Sequence, residues 1–66
     1  MIILSGTNRE DINVGIRVKV VQKQDQRTGK LTEGKVQRIL TKSKNHHHGI
    51  KVMLEDGTVG RVKEII

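Results

Sequence analysis

Apolar residues recur at every second position along much of this chain, in short runs. Ile16, Val18 and Val20 alternate with Arg17 and Lys19, and Val21 closes the run. Period-two alternation of β-branched residues predicts a strand with one face on a core and the other, holding Arg17, Lys19 and Val21, carrying positive charge. The clearest case is Ile50, Val52 and Leu54 facing in, with Lys51, Met53 and Glu55 facing out. A further strand starts at Thr58, and Gly60 between Val59 and Val62 suggests a kink in it. In Lys35 to Thr41 the residues Val36, Ile39 and Leu40 break strict alternation. A bulge or sharp bend between Val36 and Leu40 reconciles them with one buried face. Ile65 and Ile66 close the chain as a short helical turn or a fifth strand.

The connections carry the turn chemistry. Asn8 is positioned to cap a single helical turn with Arg9, Glu10 and Asp11 in it. The stretch DQRTGKLTEG, residues 25–34, joins the first two strands. Thr28-Gly29 is a turn dipeptide, Gly34 is expected to allow a close backbone crossing, and Leu31, the only apolar residue of the loop, is expected to fold back as its anchor. Lys42 to Gly49 is a second polar loop holding His46, His47 and His48. Asp56-Gly57 predicts a two-residue hairpin turn of the primed type.

Four to five short antiparallel strands with no long helix describe an all-β fold, a small SH3-like barrel in which closure removes exposed edges. Composition narrows the core. The chain has 66 residues, no cysteine and no Phe, Tyr or Trp. A domain of this size buries only about 60% of the surface its unfolded chain exposes, so its core is marginal. With no disulfide available, packed Val, Ile and Leu must supply the stability. Residues 1–7 read as a frayed tail or edge strand and residues 8–66 as one barrel domain. Met1-Ile2-Ile3-Leu4 is shorter than a signal peptide's apolar stretch, and no run approaches a membrane span, so a cytoplasmic protein without membrane contact is expected.

Charge adds a partner. The net charge is +6, but it is unevenly spread. Residues 14–51 hold ten basic side chains and only two acids, Asp25 and Glu33, a net of +8, while each flank is −1. A concentrated positive span is the electrostatic footprint of an anionic partner.

Two resemblances bear on this. Gly15-x-x-Val18-x-Val20, a loop, then Gly34-x-Val36-x-x-Ile39-Leu40 has the cadence of KOW and SH3-like modules of ribosomal proteins and transcription elongation factors. In those modules the two strands and the glycine-bearing loop form a corner that faces RNA or protein. Over Arg9 to Ile65, the runs DQRTGKLTEG, ILT, HHHGIKVML and DGTVGRVKEI resemble the YwbE-like family of small bacterial and archaeal proteins. That family usually has His-Pro-His-Gly where this chain has His46-His47-His48-Gly49, so a proline-rigid loop is not expected here. The resemblance implies an SH3-like fold and carries over no activity.

The chemistry of the residues excludes more than it assigns. Thr28-Gly29-Lys30 fails as a phosphate-binding loop, because Gln24 stands where a glycine is required and Leu31 where Ser or Thr is. The histidine run lacks a cysteine or nearby acid to complete a metal ligand set, so solvated loop histidines are expected. Ser5 and Ser43 have no base-and-acid partners, and neither catalysis nor a cofactor is expected. With no Phe, Tyr or Trp there is no platform on which such rings would stack single-stranded bases, so recognition would rest on phosphates and shape. The expected function is a non-catalytic module binding structured RNA or a ribonucleoprotein. Lys19, Arg27, Lys30, Lys35, Arg38 and Lys42 are the candidate phosphate contacts. The alternative is a module that docks an acidic protein. A third possibility is self-association through pairing of Met1 to Leu4.

Overall fold

The computed structural model describes residues 6–66. Strands β1 (Arg17–Val21), β2 (Thr32–Ile39), β3 (Lys51–Leu54) and β4 (Val59–Ile65) run antiparallel in sequence order, and β4 closes on β1. The result is a four-stranded, all-β barrel of the small SH3-like kind that the alternation predicts. Single 3-10 turns at Arg9–Asp11 and Lys23–Asp25 are the only helical segments among the described residues.

Alternation places the core. Val18 and Val20 from β1, Val36 from β2, Val52 and Leu54 from β3 and Val62 from β4 are buried together with Ile50, Ile12 and Ile65. Each full burial of such a side chain contributes about 1.5–3 kcal/mol. The bend in β2 falls where expected. Its pairing with β3 shifts register between Val36 and Arg38, which places Gln37 as the extra residue. Gly34 makes its close approach to a side chain, since a Cβ there would lie 2.8 Å from Leu54 Cδ1. Asn8 caps the first turn, its Oδ1 accepting from Glu10 N at 3.0 Å.

Four local expectations change. β2 starts at Thr32 and ends at Ile39, and Leu40 lies outside it with 39% of its surface exposed. Val21, expected on the charged face, is 6% exposed. The β1–β4 register shifts between Lys19 and Val20, and Gly60 presses against Val21, where a Cβ would lie 2.7 Å from the Val21 carbonyl. Asp56-Gly57 is not a primed turn, because Asp56 keeps a negative φ and only Gly57 is left-handed at φ 90°. Gly57 N donates to Leu54 O and Leu54 N to Thr58 O, which makes a three-residue connection with glycine in its last position. Ile65 ends β4 opposite Val18, and no fifth strand follows among the described residues.

Of residues 1–7, expected as a frayed tail or edge strand, only Gly6 and Thr7 lie within the described residues. Pairing through Met1 to Leu4 lies outside them. Gly6 O accepts from Ile50 N and Thr7 O from His46 N, each at 2.9 Å, and Asn8 bridges Asn45. These bonds hold the histidine loop against the barrel.

Candidate functional site

The central loop and β4 bound a two-lobed cleft over Val21. The larger lobe encloses about 610 Å³, with Val21 and Leu31 as apolar surface, Gln26 and Gly29 from the loop, and His48, Arg61 and Lys63 opposite. The second lobe, about 460 Å³, shares Val21, Gln26 and Arg61 and adds Lys23, Lys51, Val59 and Gly60. No carboxylate lines either lobe among the described residues, whereas Lys23, Lys51, Arg61 and Lys63 all do.

Local structure explains each position. In β4, Gly60 and Val62 turn to the barrel, so Arg61 and Lys63 turn outward on the same side. Arg61 Nη1 donates to Gly49 O at 3.1 Å and Lys63 Nζ to His48 O at 2.8 Å, which fixes both cations against the histidine loop. Gly49 makes this contact possible. It has φ 101°, and a Cβ there would collide with the Val62 carbonyl. On the opposite wall, Asp25 O accepts from Gly29 N at 2.8 Å, and Gly29 sits at φ 74° with open space around it. Leu31 is 38% exposed and forms part of the cleft wall, so it does not anchor the loop as expected.

The three histidines cluster, with His46 and His47 stacked and His48 tilted against both. The His46 and His47 rings lie 5.3 Å apart with planes 4° from parallel, and the His47 and His48 rings 4.0 Å apart at 46°. His46 Nδ1 accepts from His48 N at 3.2 Å. Partial burial, and then the Arg61 charge, lower the His46 pKa below the ordinary 6.5, in keeping with a neutral ring that accepts at Nδ1. Among the described residues no group of three His, Cys, Asp or Glu is placed to hold a metal ion.

The six cations singled out from the sequence separate into three places. Arg27 and Lys30 are exposed on the central loop, beside the residues that wall the larger lobe. Lys19 and Lys35 lie on the outer face of β1 and β2. There Lys19 Nζ is 3.7 Å from Glu64, Arg17 is 2.7 Å from Glu33, and Lys35 is paired in register with Arg17. Arg38 sits at the β2 bulge with Gln37 and Met53 around a separate hollow, and Lys42 is in the loop beyond. Lys23, Lys51, Arg61, Lys63 and His48, which line the cleft, are not among those six. Arg61 and Lys63 were hidden because three acids in the same flank outweighed them. The alternation of Gly60, Arg61, Val62 and Lys63 was the signal that could have found them.

Comparison with known proteins places the chain. Uncharacterized protein YwbE of Bacillus subtilis (strain 168) is 54% identical over 63 residues, spanning 96% of this chain and 97% of its own length. No solved structure matches. Residues 5–65 match the profile of the family described as Uncharacterized conserved protein (DUF2196), and with that coverage and the YwbE likeness the chain belongs to this family.

Proposed function

We propose that this protein is a non-catalytic binding module that contacts structured RNA, free or within a ribonucleoprotein, through phosphate groups along the cleft between the central loop and β4. The observation that carries this reading is the convergence of Lys23, Lys51, Arg61 and Lys63 from three separate segments with no carboxylate lining the cleft among the described residues. Uncompensated cations around a concave surface raise the local concentration of a polyanion. Arg27 and Lys30 on the adjoining loop extend the same surface.

The test is binding of a structured RNA across a salt series, with a polyglutamate peptide as rival ligand. The expected result is affinity that falls steeply with salt, with a slope reporting several released counterions. Charge reversal at Arg27 and Lys30 weakens that binding while the circular dichroism spectrum stays unchanged. Absence of RNA binding at low salt overturns the proposal, and tight polyglutamate binding in its place assigns the cleft to an acidic protein partner.

A further inference from the structure

A cleft that only followed a phosphate backbone would need no apolar surface and no flat side chains. This one has both. Val21 and Leu31 line the larger lobe, and His48, tilted against the other two histidines, lines it together with Arg61. Unstacked RNA bases are held on aromatic rings, histidine among them, or on guanidinium planes, with polar groups meeting the base edge. The three imidazoles are the only aromatic rings in the chain, because Phe, Tyr and Trp are absent. They are collected in one cluster, which His46 N holds in place by donating to Thr7 O and within which His48 N donates to His46 Nδ1. The Arg61 guanidinium is fixed in the same lobe by its bond to Gly49 O.

We infer that the larger lobe receives a single unpaired nucleobase, a bulged or terminal nucleotide of a structured RNA, stacked on His48 and flanked by Arg61. This rests on the RNA reading above and names the part of the RNA that the cleft selects. The lobe's volume of about 610 Å³ lies within the range of about 300–1,000 Å³ usual for small-ligand clefts. Gln26 lines both lobes, and its side-chain amide offers a donor and an acceptor for the polar edge of a base. Lys23 and Lys51 in the second lobe are the cations available to the neighbouring phosphates.

The experiment compares two labelled RNA hairpins with the same stem, one fully paired and one with a single-nucleotide bulge, by fluorescence anisotropy at low and moderate salt. The expected result is a preference of about tenfold for the bulged hairpin, the size that one stacked base supplies. His48→Ala lowers affinity for the bulged hairpin about tenfold more than for the paired one, so that the preference is lost. His48→Phe, which keeps a ring and loses the imidazole nitrogens, retains the preference. Equal affinity for the two hairpins, or a preference that survives His48→Ala, overturns the base site while leaving phosphate binding in place. Failure to bind either hairpin at low salt removes both readings.

Discussion

The outer face of β1 and the cleft beside β4 are both rich in cations, and they differ in what faces those cations. On β1, Arg17 lies 2.7 Å from Glu33 and Lys19 lies 3.7 Å from Glu64. In the cleft, Arg61 and Lys63 bond backbone carbonyls, which accept hydrogen bonds without cancelling charge. A surface ion pair adds only about 0–1 kcal/mol to stability. Its larger consequence here is electrostatic, because it neutralises a face that would otherwise compete for an anion. The difference teaches that a charge count along the chain does not survive folding. Glu64, from the net-acidic C-terminal flank, joins the basic middle, and Arg61 and Lys63 from that flank supply the cleft.

The largest effect should come from removing the support of the cleft. Gly49→Ala forces a Cβ into the Val62 carbonyl at a positive φ and should cost about 3 kcal/mol or more, read as a lower urea midpoint. Gly29→Ala, at a positive φ in open space, should cost only about 1 kcal/mol. Equal costs would show that the Gly49 rim does not hold the cleft together.

Next comes a contrast at equal charge change. Lys51→Gln with Lys63→Gln should weaken RNA binding about tenfold at low salt and lower the salt slope by roughly two. Arg17→Gln with Lys19→Gln removes the same charge from the ion-paired face and should leave the slope unchanged. If the two pairs of substitutions act alike, the anion meets the barrel as a whole and the distinction between the faces fails.

The smallest effects concern pH. His46 has a folded pKa below 6.5, so the folded state binds fewer protons than the unfolded chain just below that value. Its contribution to stability is therefore complete above about pH 6.5 and is lost as pH falls toward the folded value. Asp56, held below 3.8 by the Thr58 amide that its carboxylate accepts, adds stability above that value and loses it in stronger acid. Urea midpoints measured from pH 8 to pH 3 should show a decline below 6.5 that His46→Gln removes. A separate acid decline should remain in that variant. The first decline reports the loop that forms the cleft rim.

Much of the barrel was legible in the chain. The pattern at Ile50, Val52 and Leu54 marks the buried side of β3, and the broken alternation around Val36 marks the β2 bulge. Local chemistry also sufficed for the Asn8 cap. The candidate site was less legible. Arg27 and Lys30 are chain neighbours of cleft-lining residues, while Lys19 and Lys35 share the face whose charges are paired, and Arg38 stands at another hollow. Leu31 looked like an anchor because it is alone among polar neighbours, yet what it meets depends on β4, thirty residues further on.

The sequence by itself determined most of which side chains are buried, with Val21 and Leu40 as exceptions. Alternation and turn chemistry act over a few residues, and a closed aliphatic barrel satisfies most of them. Tertiary structure alone decided which outward side chains become neighbours. The β1–β4 closure joins Lys19 to Glu64, Gly60 lets β4 press onto Val21, and the bonds from Arg61 and Lys63 to Gly49 and His48 bring the histidine cluster to the cleft. Each of those contacts joins distant parts of the chain or depends on the barrel's register. Charge and aromatic content counted along the sequence carry no information about such contacts.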